Sequence, residues 1–263
     1  MKKLISCSCG LLLATASLQA TVLFSDDFNS YTAGNLAGTT ANGIGQGTWA
    51  QTSTSSTTPI QANGSGGVSI GASGQDIYSP LPGGSFTLAD GSSFYMGLDI
   101  NVASVANTSG DYFLHWSTTV GNTGIFPDRL YVKPSGTQFL LGWAPSSGTG
   151  ITFGSTLLNY GTGYRVAVEY DAVAGAINDT GAIYVNSAPY VSGTFSTGTE
   201  PSPETIAEVN FRQGSSGPIL TVDNLNAATT LAEVETFTAI PEPTTVALGG
   251  LALLGLAVLR RRS

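Results

Sequence analysis

Between residues 21 and 232 the chain sustains almost no helical periodicity, and this limits its fold more than any other feature. Apolar residues do not recur every three or four positions. Short runs rich in Val, Ile, Phe and Tyr stand instead between Gly, Pro, Asn and Asp, which is the pattern of strands joined by turns. Val22-Leu23-Phe24 opens the series, followed by Ser93–Val102, Tyr112–Ser117, Arg129–Lys133, Gln138–Trp143, Arg165–Tyr170, Ala182–Val185, Glu208–Arg212 and Leu220–Leu225. Arg129–Lys133 alternates, placing Leu130 and Val132 on one face and Arg129, Tyr131 and Lys133 on the other. Gly43–Gly47 and Asn63–Gly67 read as loops, and Thr52–Thr58 as an exposed, mobile polar tract. The 34 Gly and the low share of charged residues, 10%, suit β-structure with long polar loops. About 220 residues are enough for one all-β domain, and so many short strands predict an antiparallel sandwich.

The two ends have a different character. Met1-Lys2-Lys3 precedes an apolar run from Leu11 to Leu18 and then Gln19-Ala20, which reads as a secretory signal helix with cleavage after Ala20. Both cysteines, Cys7 and Cys9, fall inside it, so the mature body has no cysteine and must be held by its core alone. At the other end stand Pro241-Glu242-Pro243, an uncharged apolar run from Val246 to Leu259, and Arg260-Arg261-Arg262. The apolar run, about 21 Å long as a helix, is short for a bilayer of roughly 30 Å, although flanking residues and local thinning reduce the mismatch. The arginines predict a cytoplasmic C-terminus, and Gly249, Gly250 and Gly255 permit close helix approach.

In their order, these three elements resemble the PEP-CTERM sorting signal. The resemblance implies export, transient anchoring in the inner membrane by a helix over 246–259, processing near Pro241–Pro243 by the membrane transpeptidase exosortase, and a producer of extracellular polysaccharide. Within the body, Tyr164–Asp171 followed by Gly181–Asn186 resembles the long strand pair of laminin-G/concanavalin-like jelly rolls. Leu220–Leu225 is similar to their closing strand, and Phe24–Tyr31 leading to Gly34-Asn35-Leu36 is similar to their opening. The expected organisation is a signal peptide at 1–20, a jelly-roll sandwich at 21–232, a linker at 233–240 and the sorting signal at 241–263.

Charge narrows the range of partners. Setting aside Lys2, Lys3 and the three terminal arginines leaves Arg129, Lys133, Arg165 and Arg212; setting aside Glu242 leaves 16 carboxylates, so the body carries about −12. A body this acidic argues against nucleic acid, whose phosphates need a basic face. It suits a soluble surface protein or one that binds divalent cations.

Candidate chemistry is sparse. The single histidine, His115, lies in a strand without a nucleophile elbow, which disfavours a Ser–His–Asp relay; a partly buried, hydrogen-bonded role is expected. Glu169 and Asp171 are two apart in a strand and share a face, as the paired carboxyls of a glycosidase must. Laminarinase-like jelly rolls resemble this with a third acid, but here its place holds Ala174. Asp26 and Asp27 at the start of the domain and Asp223 at its end are candidate ligands of a structural calcium, which takes oxygen donors, because jelly rolls often bring first and last strands together. Otherwise these aspartates cap turns. Trp116, Tyr131 and Trp143 are candidate platforms for sugar stacking. The expectation is a non-enzymatic cell-surface or matrix protein whose body serves adhesion or carbohydrate binding. The alternatives are a glycan-active hydrolase of the same fold and a purely structural biofilm matrix protein.

Overall fold

Side-chain alternation turns these segments into a two-layer structure. In the strand Ser93–Val105, Phe94, Met96, Leu98, Ile100 and Val102 are buried, while Ser93, Tyr95, Asp99 and Asn101 are partly exposed. A computed structural model describes residues 22–236, except 41, 42, 44–46, 53–57, 122–124, 145–149, 176 and 195–203. The sequence readings for the signal helix, most of the Thr52–Thr58 tract and the sorting tail therefore lie outside the described residues.

Two antiparallel sheets dominate. Among the described residues the first runs in the order Ala188–Thr194, Thr180–Val185, Gly163–Asp171, Ser93–Val105, Pro218–Ala228, Val68–Ile70, Gln61–Ala62 and Gly34–Asn35. Its ninth strand, Val22–Asp26, also pairs with Pro218–Ala228, with Val22 opposite Ala228 and Asp26 opposite Leu225. The second sheet runs Thr152–Phe153, Gln138–Ala144, Arg129–Ser135, Asp111–Ser117, Glu208–Phe211, Ile77–Pro80 and Ala50–Gln51, with Leu158–Asn159 beside Gln138–Ala144. This is the all-β jelly-roll sandwich expected from the sequence. The long pair is present, Val166 facing Val185 and Asp171 facing Thr180, and the first and last strands are neighbours. Val68–Ile70, Ile77–Pro80 and Ala188–Thr194 are strands that the pattern reading passed over, two of them very short.

All three tryptophans of the chain lie between the layers. Trp116 meets Phe94 edge-on at 5.2 Å, and Trp49 stacks on Phe211 at the same distance. Trp143 leaves the second sheet and enters a notch in the first. A Cβ on Gly181 would lie 2.2 Å from its indole nitrogen, and one on Gly193 would lie 2.7 Å from its ring, so only glycine admits the indole there. At the opening corner, Asp26 is fully buried. It accepts hydrogen bonds from the Phe28 amide at 3.0 Å, the Tyr31 hydroxyl at 2.7 Å and the Trp49 indole at 2.8 Å. These bonds fix Phe28 at a φ of 52°, a conformation that bulky residues seldom adopt.

The short helix Leu231–Glu235 packs on the outer face of the first sheet, its Val234 buried with Ala167 and Ala228. Arg165 fastens it. Its guanidinium donates to the Val234 carbonyl at 2.8 Å, the Asn224 carbonyl at 2.7 Å and the Asn226 side chain, while Asn226 donates to the Glu233 carbonyl at 2.6 Å. Residues 233–236, expected as linker, are thus part of the packed domain, because Val234 has an apolar surface to bury. Among the described residues no helix is long and apolar enough to cross a membrane.

Asp128 is a liability in this core. It is fully buried, and burial raises its pKa well above the usual carboxylate range; the nearby Arg129 amide and Trp143 indole offset this only in part. Above the unfolded-state pKa the folded chain therefore binds more protons than the unfolded one, and stability falls as pH rises toward the folded value. Replacing Asp128 by Asn removes that loss. Thermal melts should show D128N above the parent at pH 8, by about 2–4 °C for each kcal/mol gained, with the gap closing toward pH 4.

Candidate functional site

Strand alternation and register build a polar and aromatic layer on the outer face of the second sheet, partly exposed at Arg129, Lys133, Tyr112 and Tyr78 and covered at His115 and Asn210. Leu130 and Val132 point inward, so Arg129, Tyr131 and Lys133 point out, as the sequence predicts. Registers then align one row across the sheet: Ala144, Arg129, His115, Asn210, Tyr78 and Ala50. A second row carries Phe153, Gly142, Tyr131 and Tyr112. Neighbouring strands lie about 4.8 Å apart, so each row forms a near-continuous strip.

Tyr112 is the hub of this surface. The Arg212 guanidinium lies 4.1 Å from its ring centroid and that of Arg129 at 4.9 Å, both within cation–π range. Tyr131 approaches at 5.3 Å and His115 at 5.5 Å. Arg129 also lies 5.2 Å from the Phe126 ring, and the Lys133 ammonium 5.1 Å from that of Phe153. Arg212 pairs with Asp111 at 2.6 Å. Burial works against its charge, but Tyr112 and Asp111 outweigh burial and raise its pKa. Burial likewise raises the pKa of Tyr131. The chain after Asp111–Ser117 folds back over one end of the sheet: the Gly121 amide donates to Glu208 at 2.7 Å, and Phe126 packs on His115 at 4.5 Å.

The structure sorts the sequence candidates. Tyr131 belongs to this face, although its neighbours leave it only 5% exposed. Trp116 and Trp143, considered as platforms, are core residues at 1% exposure each, since both occupy the inward phase of their strands. His115 is buried in the outer row, and Asp111 does not orient it, being engaged with Arg212 and the Tyr112 amide. Sequence reasoning missed Tyr112, Asn210 and Arg212 as members of one surface. Their membership, like the grouping of three of the four body cations, Arg129, Lys133 and Arg212, on one face, becomes visible only once strand order is known.

Glu169 and Asp171 do share a face, but it is the outer face of the first sheet. Glu169 accepts from the hydroxyls of Tyr95 and Tyr184, and Asp171 from Ser93 and Thr180. Burial and the bond to Glu169 push the Tyr95 hydroxyl up to about 12. On the same side, Asp99 receives Asn224 at 2.7 Å and faces Arg165 at 3.4 Å. Burial raises the Asp223 pKa, and the nearness of Asp99 and Asp27 adds to the rise. Of the three calcium candidates, Asp26 is engaged inside the corner, whereas Asp27 and Asp223 are close enough to repel. Among the described residues, no three His, Cys, Asp or Glu are arranged to hold a metal.

Comparison with known proteins adds information mainly at the C-terminus. No curated protein matches the chain. Among solved structures, an alginate lyase variant in complex with an alginate tetrasaccharide is 15% identical over 77% of this chain and 95% of its own, with a TM-score of 0.48. The globular domain of T. cruzi calreticulin is 11% identical over 82% and 90%, also at 0.48. An endo-1,3-beta-glucanase from Streptomyces sioyaensis is 14% identical over 81% and 97%, at 0.47. Residues 239–262 match the PEP-CTERM protein-sorting motif, so the C-terminus is a sorting signal that marks the protein for export and exosortase-dependent delivery to the cell surface.

Proposed function

We propose that this is an exported surface or matrix protein whose jelly-roll body is a non-catalytic carbohydrate-binding module. The observation that carries the reading is the outer face of the second sheet, where Tyr112, Tyr131, Phe126 and Phe153 lie among Arg129, Lys133 and Arg212. Aromatic rings supply apolar area with a polar tip, and fixed cations and amides supply orientation, a combination suited to a polyhydroxylated polymer. The competing hydrolase reading needs two free carboxyls facing a substrate. It is disfavoured because Glu169 and Asp171 are engaged by four hydroxyls on the opposite side of the sandwich.

Retention on immobilised glycans, followed by analysis of the glycans for cleavage, tests this directly. Binding without turnover is expected, with Tyr112→Ala weakening it about tenfold, the scale of one lost stacking contact. Turnover that disappears in Glu169→Gln would establish the hydrolase instead. Loss of binding in neither Tyr112→Ala nor Arg129→Ala would place any glycan site elsewhere.

Transient anchoring by the segment 246–259 and processing at Pro241-Glu242-Pro243 belong to the same proposal. In a host with the sorting enzyme, Pro241→Ala with Glu242→Ala should leave the body folded and the chain held in the membrane. Unchanged release would show that the tripeptide is not the processing signal.

Calcium remains a proposal at Asp27 and Asp223, with backbone carbonyls as the further oxygen donors; a cation there would relieve the repulsion that contributes to the raised Asp223 pKa. Millimolar calcium is then expected to raise the melting temperature by linkage, and Asp223→Asn to abolish the rise. An unchanged melt would leave these residues as turn formers.

A further inference from the structure

The body carries four basic residues, and three of them, Arg129, Lys133 and Arg212, gather on the outer face of the second sheet. The fourth, Arg165, is committed to the C-terminal helix on the other side. Carboxylates are distributed in the opposite sense. Asp99, Glu169, Asp171 and Asp223 lie on the strands of the first sheet's outer face. On the second sheet's outer face, Asp111 is closed on Arg212, Asp76 also acts on Arg212 and accepts from the Gln213 amide, and Glu208 is fully buried with the Gly121 amide upon it. Among the described residues, Arg129 and Lys133 make no ion pair; each rests beside an aromatic ring, which supports the cation without neutralising it. In a body of about −12, such a face departs from the general trend of the surface.

Asn210 provides an independent observation. It lies in the row between His115 and Tyr78, is 0% exposed, and has no hydrogen-bond partner at either amide atom. An unmade bond at a buried amide costs roughly 1–3 kcal/mol. Nothing on its own strand compensates for it, whereas a ligand carrying hydroxyls and carboxylates would supply both a donor and an acceptor.

We propose that this face selects an acidic polysaccharide, a polymer with a carboxylate on its sugar units, over neutral glycans. The inference rests on the carbohydrate-binding reading above and adds the charge of the ligand. Arg129 and Lys133 meet the carboxylates as charge-assisted hydrogen-bond donors, and Tyr112 offers its ring, with the buried Asn210 amide behind them. A second copy of this chain, offering its acidic first-sheet face, is the rival occupant. It is disfavoured because the carboxylates Glu169 and Asp171 on that face are already bonded to hydroxyls.

Affinity electrophoresis of the purified full chain in detergent, through gels containing polygalacturonate or neutral dextran, tests the inference. Retardation by polygalacturonate and not by dextran is expected, and it should weaken as salt is raised from 50 to 500 mM because exposed charges are screened. Arg129→Ala with Lys133→Ala should weaken binding at least about tenfold, the scale of losing a charge-assisted contact, with the melt confirming a folded variant. If the double variant does not fold, Lys133→Gln alone should still weaken binding. Equal retardation by both polymers would overturn the charge selection and leave the binding module standing. Retardation by neither would overturn both. Parental binding by a folded double variant, or self-association at low salt abolished by the same substitutions, would overturn the proposal in favour of another site or of contact between copies.

Discussion

The seating of the Trp143 indole against Gly181 and Gly193 is the contact on which the rest of the sandwich depends. Without a disulfide, two sheets can be held in register only by how their inner faces interlock. An indole from one sheet that fits solely where the other has no Cβ fixes both separation and sliding. Trp116 against Phe94 and Trp49 against Phe24 repeat the principle along the core. Truncating a buried aromatic of this size costs about 3–5 kcal/mol, a large share of the 5–15 kcal/mol that a domain has. The outer faces inherit their geometry from this lock. Once Leu130 and Val132 are inside, Arg129, Tyr131 and Lys133 have nowhere to point but out.

How much of this was legible in the sequence depended on the phase of each strand. Arg129–Lys133 and Ser93–Val102 alternate clearly, so their faces could be read directly. Tyr112–Ser117 and Gln138–Trp143 carry apolar or aromatic residues in both phases, so a tryptophan in either could have been platform or core. A bulge between Leu130 and Tyr131, against Leu114 and Tyr112, shifts the phase further. The tail was legible because a sorting signal is read as linear sequence. The grouping of Arg129 with Arg212, 83 positions apart, was hidden because it depends on Glu208–Phe211 inserting between Asp111–Ser117 and Ile77–Pro80.

The corner at Asp26 and the clamp at Arg165 show how polar groups are used inside this fold. Each satisfies several partners at once: Asp26 joins three residues around the first turn, and Arg165 ties a helix and a bulge to the sheet. Both charges are buried at a cost that their many bonds offset. Both also lie near the two ends of the body, where fraying is greatest in most domains. Asp128 is the contrast, a buried carboxyl with weak compensation and a raised pKa.

The position of the C-terminal helix sets where the body hands over to its tail. The chain leaves the packed domain at Thr236, on the acidic side of the sandwich, only residues 237–240 before Pro241. In the proposed anchoring, the nine residues 237–245 that precede the apolar run reach at most roughly 32 Å, so a body still joined to its tail would stay within about that distance of the lipid. The carboxylates of the first sheet and the cationic strip of the second face opposite ways, with the thickness of two sheets between them. Such a leash limits distance more than direction, and its exit on the acidic side keeps the tail clear of the cationic strip.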